Sequence, residues 1–260
     1  VAGTGDDSIS GDAGNDLLDY RTISNEGLSI VYTGVGAGTV TGTVIGTDTF
    51  ASIETLFGSE RADTITGSNG NDTLTWQAGG SGNDSFVGGS GNDTLDYTGL
   101  DSAVVITFSG AGTGTVRTAN YGTDTFSGFE TVVGSGSNDV FVNASDSIVI
   151  QGGAGVDALD YSGSANAVTV VFTGDAVGSV SGGAVASFTA VESIIGSSGN
   201  DSLTGSLGTQ YFFGGLGNDT IDGGADSDKL DYTGVLANIT VNFATSTVTG
   251  TTVGTDTVSY

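Results

Sequence analysis

The sequence predicts an all-β protein folded as a right-handed parallel β-solenoid. Three observations carry this prediction: a nonapeptide that recurs in register, 47 glycines without a single proline in 260 residues, and strand-forming residues between the glycines. Glycine adopts turn conformations that other residues avoid, and a chain without proline can place nearly every backbone N–H in a ladder. The residues between the turns are mostly Val, Ile, Leu, Phe, Tyr and Thr, and several of these types are enriched in strands.

The nonapeptide is clearest from Gly196, where the chain reads GSSGNDSLT, GSLGTQYFF, GGLGNDTID and GGADSDKLD without a break. A second block from Gly58 reads GSERADTIT and GSNGNDTLT, then three additional residues (WQA), then GGSGNDSFV and GGSGNDTLD. Weaker copies are found at the N-terminus (GTGDDSIS, GDAGNDLLD), at Gly134 (GSGSNDVFV) and at Gly152 (GGAGVDALD). Each copy reads as six turn residues and three strand residues, and such a fixed period indicates a solenoid in which two copies close one coil.

Segments of a different character separate the blocks. They run over Ser29–Ser59, Ala103–Ser135 and Ala167–Ser197, with a truncated fourth copy from Ile239, and their apolar alternation (VVITF, VTVVF) predicts strands. Because they lack the nonapeptide Asp, we expect wider, metal-free coils held together by packed Phe, Val and Ile. The predicted organisation is therefore one continuous solenoid of four units, approximately 1–57, 58–133, 134–195 and 196–260.

Stacking of the coils places acids from successive turns face to face. Four pairs occupy equivalent positions one coil apart: Asp63 and Asp84, Asp72 and Asp93, Asp139 and Asp157, Asp201 and Asp219. Two like charges about 5 Å apart repel by roughly 3 kcal/mol at an effective dielectric constant near 20, whereas a whole domain is stable by only about 5–15 kcal/mol. The fold therefore needs a cation between turns, and carboxylate and carbonyl oxygens select Ca²⁺.

The copies GGSGNDTLD, GGSGNDSFV and GGLGNDTID resemble the nonapeptide of RTX (repeats-in-toxin) proteins. The separating segments resemble the linking regions between calcium blocks of large bacterial RTX adhesins and surface proteins. The resemblance implies a β-roll that holds several calcium ions, about five to seven, each bound by the position-six Asp together with turn carbonyls. Carried across residue by residue, the implied ligands are Asp7, Asp16, Asp63, Asp72, Asp84, Asp93, Asp139, Asp157, Asp201, Asp219 and Asp228. Gln210 replaces the Asp that should face Asp228, and Ile148 occupies another such slot, so we expect these two sites to be weak or absent.

Two further sets of acids recur in the separating segments. One slot holds Glu54, Glu130 and Glu192 (IETLFGS, FETVVGS, VESIIGS), and another holds Asp48, Asp124 and Asp256 (GTDT). These residues are either additional ligands at the edge of a block or solvated faces and turn caps. We expect the second role.

Composition excludes several classes of function. A net charge of −26 argues against binding to nucleic acid or to an anionic membrane surface, and no apolar run of about 18 residues predicts membrane insertion. With no His and no Cys the usual nucleophile–base pairs are missing, so we predict no enzyme. The main enzymatic alternative is a β-helical polysaccharide lyase or hydrolase, because paired carboxylates can cleave glycosides. Here, however, a repeat accounts for the acids.

We therefore predict an extracellular, calcium-stabilised structural protein, secreted or at the cell surface. The start of the chain (VAGTGDDSIS) aligns with the sequence from Val132, and its end (GTDTVSY) aligns with GTDTFSG, so the chain is close to four whole repeats. Solenoids need capping elements, and none is apparent, which predicts head-to-tail stacking of copies into a filament, surface layer or biofilm matrix. The alternatives are a repeat segment of a giant RTX adhesin and the calcium-binding secretion domain of an exported enzyme.

Overall fold

The computed structural model describes residues 3–144, 148–181, 186–233, 235, 238–242 and 246–259. It divides into two compact units, Val1–Val104 with Ser109–Gly136, and Val105–Phe108 with Ser137–Tyr260. Each unit is built of β-strands joined by glycine-rich turns, and one turn of 3-10 helix, Trp76–Ala78, is formed by the three residues inserted between nonapeptides. In the described part of the chain, no helix is long and apolar enough to cross a membrane.

The strands are short, and in the nonapeptides each has two or three residues. The first fourteen are β1 (Ser8–Ser10), β2 (Leu17–Asp19), β3 (Ser29–Gly34), β4 (Ala37–Gly42), β5 (Gly46–Ala51), β6 (Thr55–Phe57), β7 (Thr64–Thr66), β8 (Thr73–Thr75), β9 (Ser85–Val87), β10 (Thr94–Asp96), β11 (Val104–Gly110), β12 (Thr113–Thr118), β13 (Thr123–Ser127) and β14 (Thr131–Val133). The others are β15 (Val140–Val142), β16 (Val149–Gln151), β17 (Ala158–Asp160), β18 (Thr169–Gly174), β19 (Val177–Ser181), β20 (Ala186–Thr189), β21 (Ser193–Ile195), β22 (Ser202–Thr204), β23 (Tyr211–Phe213), β24 (Thr220–Asp222), β25 (Lys229–Leu230), β26 (Ile239–Asn242), β27 (Thr247–Gly250) and β28 (Gly254–Ser259).

Nonapeptide strands stack in parallel with the register that the repeat predicts. In the first unit β7 pairs with β9 and β8 with β10, so that Leu74 lies beside Leu95. In the second unit β15 pairs with β17 and β22 with β24, so that Leu203 lies beside Ile221. Each of these central residues is buried. Both units are therefore parallel β-solenoids, and the predicted fold class is confirmed.

The separating segments form antiparallel meanders rather than the wider coils predicted for them. Strands β3, β4 and β5 pair antiparallel in the first unit, and β18, β19 and β20 do so in the second. The reversal follows from two-residue hairpin turns such as Val35-Gly36, where Gly36 has φ +64°. The first strand of the meander then pairs in parallel with the following block (β3 with β7), and its last strand with the preceding block (β5 with β1). A meander therefore inserts three strands between two nonapeptide strands of the same sheet.

The core of each unit is narrow, because a three-residue strand turns only its central side chain inward. Phe86 and Leu95 have no exposed surface in the first unit. In the second unit Phe172 contacts Phe188 and Phe212 edge to face, with ring centroids 5.1 and 5.9 Å apart. One buried apolar residue per nonapeptide is a small hydrophobic contribution beside the entropy lost in ordering so many glycines. Interactions within and between the turns must therefore supply the remaining stability.

Leu95→Ala should lower the free energy of unfolding by about 2–5 kcal/mol in saturating calcium, because the narrow core cannot close the resulting cavity. Urea unfolding followed by circular dichroism measures the change. The matched control is Val35→Ala at a hairpin tip that is 95% exposed, where we expect a change below about 0.5 kcal/mol. Equal effects of the two substitutions would contradict the assignment of Leu95 to the core.

Candidate metal centre

The four predicted aspartate pairs do stack, and one specific hydrogen bond joins each pair. The backbone N–H of the first Asp donates to a carboxylate oxygen (Oδ1) of the second Asp, one coil further along the chain. The donor–acceptor distances are 2.8 Å from Asp63 to Asp84, 2.8 Å from Asp72 to Asp93, 2.7 Å from Asp139 to Asp157 and 2.8 Å from Asp201 to Asp219. We call this series of contacts the carboxylate ladder. It fixes the distance between turns at one end of each strand.

The other three predicted site residues have different neighbours. Asp7 and Asp16 donate their N–H groups to meander acids, Asp48 at 3.0 Å and Glu54 at 2.8 Å. Asp228 accepts from the N–H of Gln210 at 3.0 Å, so the glutamine does occupy the slot opposite Asp228.

The two predicted weak slots lack an anionic ligand. The Gln210 amide nitrogen donates to the Leu207 carbonyl at 2.6 Å, which closes the turn without a charge. Ile148 is buried and apolar. Weak or absent binding at these slots stays a prediction, which their side chains support.

The GTDT aspartates of the meanders are buried members of the ladder, so the expectation of a solvated face is wrong for them. Asp48 and Asp256 have no exposed surface. One carboxylate oxygen of each GTDT aspartate accepts a backbone N–H, and the other accepts a tyrosine hydroxyl. The hydroxyl distances are 2.7 Å from Tyr20 to Asp48, 3.2 Å from Tyr97 to Asp124 and 2.5 Å from Tyr232 to Asp256.

Sequence reasoning missed these tyrosine–aspartate pairs, although the motifs LDY and GTDT recur together. The third repeat has LDY but not GTDT, and there the tyrosine–aspartate contact is missing among the described residues. There the sequence has Ala186 at the GTDT position, and Tyr161 donates instead to the carbonyl of Ala144 at 2.8 Å. The available signal in the sequence was that GTDT follows LDY in the other three repeats.

Burial disfavours the ionised form of the stacked aspartates. Asp84, Asp157 and Asp219 are at most 3% exposed. Loss of solvation, together with the repulsion of neighbouring carboxylates, raises the pKa of Asp84 to about 8 and the pKa values of Asp157 and Asp219 to about 7. The N–H groups of the ladder lower these pKa values without reversing the effect. A bound cation would remove the penalty, since an adjacent positive charge favours the ionised carboxyl.

The second carboxylate oxygen (Oδ2) distinguishes two kinds of turn. In the first two copies of the blocks that begin at Gly58 and Gly196, position two is Ser, and its backbone N–H donates to this oxygen at 2.7 Å in Asp63, 2.6 Å in Asp72 and 2.6 Å in Asp201. In the third and fourth copies, position two is Gly with positive φ, for example +110° at Gly89 and +101° at Gly215. Four buried aspartate oxygens of the described residues lack a partner, and they are the Oδ2 atoms of Asp16, Asp93, Asp157 and Asp219.

Each turn also brings a carbonyl oxygen close to its carboxylate. A Cβ built on Gly67 would lie 2.0 Å from the Gly88 carbonyl oxygen of the next coil and 2.9 Å from Asp72 Oδ2. A Cβ on Gly196 would lie 2.1 Å from the Gly214 oxygen and 2.5 Å from Asp201 Oδ2. Only glycine leaves this space open. Converging carbonyl and carboxylate oxygens are the hard donors that Ca²⁺ prefers.

The residues present therefore fit calcium. Buried carboxylate oxygens without partners need a cation or a proton, and the donors beside them are oxygens. Among the described residues no three acidic side chains converge. An ion held here would take one or two carboxylates, with turn carbonyls and water completing its shell.

Stacked turns of this kind are consistent with a calcium-binding β-roll. The family model of the RTX calcium-binding nonapeptide repeat (4 copies) matches residues 1–21, 48–75, 78–99, 190–221 and 204–234. The chain therefore carries RTX nonapeptide repeats, as its sequence indicates, and such repeats bind Ca²⁺ and occur in secreted proteins. No curated protein matches the chain. The pair Asp139 and Asp157 lies outside the matched residues, yet it forms the same ladder contact.

Protonation of the buried aspartates should partly compensate for the loss of calcium in stabilising the fold. The folded pKa values of Asp84, Asp157 and Asp219 lie above the ordinary value of 3.8, so the calcium-free folded state binds more protons than the unfolded state. Its stability is therefore greatest at low pH and is lost as the pH rises through about 7–8. In EDTA, the folded fraction measured by circular dichroism should increase from pH 8 to pH 5. A folded fraction that increases with pH would contradict this account.

Tyr20→Phe should cost about 1.5–3 kcal/mol of stability in saturating calcium, because it removes a hydroxyl that donates to the buried Asp48 carboxylate. The matched control is Tyr161→Phe, whose hydroxyl donates to a neutral carbonyl and should be worth about 0.5–1.5 kcal/mol. Thermal and urea unfolding of both variants provide the comparison. If Tyr161→Phe proves the more harmful change, the tyrosine–aspartate contact is not a stabilising element.

Proposed function

We propose that the chain is an extracellular structural protein that folds when calcium binds between its stacked turns. The observation that carries this proposal is the set of buried carboxylate oxygens without partners, in turns whose open space is lined by carbonyl oxygens. In a chain with 30 acidic and 4 basic residues, side-chain cations are too few to serve every turn. Calcium supplies the missing charge.

The proposed ligands are the position-six aspartates of the nonapeptides, which hold about five to seven ions together with turn carbonyls. They are Asp7, Asp16, Asp63, Asp72, Asp84, Asp93, Asp139, Asp157, Asp201, Asp219 and Asp228. The ladder distances support the four stacked pairs most directly. Asp228 opposite Gln210 would contribute the weakest site.

The energy available from calcium is sufficient to control folding. Extracellular-type sites bind with dissociation constants of about 10⁻⁴–10⁻³ M, and a tenfold excess of ligand stabilises the folded state by about 1.4 kcal/mol per site. Five such sites supply roughly 7 kcal/mol, which is comparable to the whole stability of a domain. At cytosolic calcium this contribution is missing. The chain would leave the cell unfolded and fold outside.

We further propose that the four repeats form one continuous solenoid and that copies stack head to tail into a filament, surface layer or biofilm matrix. In the first unit β1 ends its sheet, and in the second unit β26 does so, so each is an edge strand among the described residues. Such edges pair readily with another chain, and a heterologous contact that does not close produces a fibre. The alternative is a repeat segment of a giant RTX adhesin, in which the next repeat in the same chain covers each edge.

We propose no catalytic role. The chain contains no His and no Cys, and the stacked aspartates serve the ladder at regular intervals instead of forming one distinct cluster. A calcium-binding secretion domain of an exported enzyme remains compatible with the same turns, with the chemistry located elsewhere.

Calcium removal tests the folding proposal. In EDTA at pH 8 the β-sheet signal in circular dichroism should be lost, and added calcium should restore it with a midpoint of about 10⁻⁴–10⁻³ M. Magnesium at the same ionic strength is the control, and it should not restore the signal, because Mg²⁺ dehydrates reluctantly and demands a tighter octahedral shell. An unchanged β signal in EDTA would refute calcium-dependent folding.

Electron microscopy and sedimentation of the purified chain test the assembly proposal separately. We expect filaments or large assemblies at millimolar calcium that dissociate when EDTA is added. A chain that folds in calcium and stays monomeric would exclude head-to-tail assembly and favour the segment of a longer adhesin.

A further inference from the structure

In three repeats, the last nonapeptide turn of a block stacks on a glutamate of the following meander. The backbone N–H of the turn aspartate donates to the glutamate carboxylate, at 2.8 Å from Asp16 to Glu54, 2.7 Å from Asp93 to Glu130 and 3.0 Å from Asp157 to Glu192. The residue after each glutamate donates its own N–H back to the aspartate carbonyl at 3.1, 3.0 and 2.9 Å. The carboxylate ladder thus continues from the nonapeptides into the meander, with Glu in place of Asp.

The surroundings of these aspartates match those of the nonapeptide pairs. A Cβ built on Gly88 would lie 2.0 Å from the Gly128 carbonyl oxygen of the meander and 2.8 Å from Asp93 Oδ2. A Cβ built on Gly152 would lie 2.6 Å from Asp157 Oδ2, and the Ala190 carbonyl oxygen would be closer still. A carbonyl and a carboxylate therefore converge at the meander level as they do over Gly67.

The two kinds of site differ in the hydrogen bonds that the aspartate Oδ2 oxygen accepts. Asp72 Oδ2 accepts from the backbone and the hydroxyl of Ser68, whereas Asp93 Oδ2 is buried without a partner in a residue that is 1% exposed. Asp157 Oδ2 is in the same state, and Asp157 has no exposed surface. Three of the four unpartnered aspartate oxygens of the described chain stand below a glutamate, in three successive repeats. Since a buried unsatisfied group costs about 1–3 kcal/mol or more when charged, a ligand that recurs with the repeat explains them.

We propose that these three glutamates complete additional calcium sites, which we call junction sites. Each would combine the unpartnered aspartate oxygen, the glutamate carboxylate and a meander carbonyl. The sets are Asp16, Ser52 and Glu54; Asp93, Gly128 and Glu130; Asp157, Ala190 and Glu192. The inference rests on the proposed calcium-binding function and extends the ligands beyond the nonapeptide aspartates.

Backbone conformation at the junction is consistent with a dedicated carbonyl. The residue two before each glutamate has positive φ, +55° at Ser52, +74° at Gly128 and +52° at Ala190. This conformation is uncommon for residues other than glycine, and here it places the carbonyl oxygen beside the aspartate. The GTDT level of the same meander shows the contrast, because there a tyrosine hydroxyl takes the free oxygen of Asp48 and leaves no place for an ion.

The junction sites should fill last. Glu54 and Glu130 are exposed and Glu192 is partly exposed, so water supplies more of the shell of the ion and lowers its affinity. Each ion would bind a nonapeptide turn to the meander that follows it. Calcium would then act in two steps, first closing the blocks and then joining each block to its meander.

The double variant Glu130→Gln/Glu192→Gln tests the junction sites. Glutamine keeps an oxygen that can accept the ladder N–H and removes the charge that an ion needs. The matched control Glu60→Gln/Asp175→Asn removes two charges from exposed acids outside the ladder. Native mass spectrometry and isothermal titration at millimolar calcium count the ions per chain. The wild type and the control should bind the same number, and the double variant should bind two fewer.

Each outcome is decisive. Equal counts in all three proteins overturn the junction sites and leave the nonapeptide sites in place, whereas a wild type that binds no calcium overturns the proposed function itself. If the double variant fails to fold in calcium, crystals of the wild type soaked in strontium replace it. Anomalous density between Asp93 and Glu130 supports the site, and its absence in a crystal whose nonapeptide turns hold strontium overturns it.

Discussion

The carboxylate ladder is the contact on which the rest of the structure depends. A nonapeptide contributes one inward apolar side chain and six turn residues, so hydrophobic burial fixes its strand while the turn would otherwise be free. The ladder holds the turn by giving each buried backbone N–H of an acidic residue an acceptor in the next coil, as between Asp72 and Asp93. The acceptor is itself an anion in a poorly solvated place. The contact that orders the turns therefore also brings negative carboxylates close together, and their repulsion destabilises the ordered turns.

The two oxygens of a ladder carboxylate have separate tasks. In each stacked pair, one oxygen of the second aspartate accepts the N–H of the preceding coil, and this contact sets the spacing. The other has a partner that depends on the level: Ser68 for Asp72, Tyr20 for Asp48, and none for Asp93. Serine and tyrosine give the oxygen a neutral hydrogen-bond donor, so those levels leave less charge for a metal to compensate. Levels without such a donor depend on a cation.

The sequence predicts the parallel register well, because the period of the nonapeptide is a covalent property of the chain. Leu74 lies beside Leu95 as the three-residue insertion requires. The antiparallel meanders were not predicted, since alternating apolar residues specify strands but not their direction, which here depends on turns such as Val35-Gly36. The role of Ser68 was also missed, because serine and glycine are both good turn residues and differ here only in backbone conformation. Tyr20 and Asp48 are 28 residues apart, and only the fold brings them together.

Because neutral and cation-dependent levels alternate, calcium is needed to order only part of the chain. If every level required an ion, the repulsion among 30 acidic residues would act on the whole chain until the last site filled. Meander levels closed by a tyrosine–aspartate pair are held by neutral donors and by backbone pairing over four to seven residues per strand, so they can keep their register at low calcium. Each block then closes around its own ions beside meanders whose register is already set. Folding by this route needs calcium to order only the short glycine turns between levels that are already formed, which is the part of the chain where glycine entropy is greatest and the buried carboxylates are least satisfied.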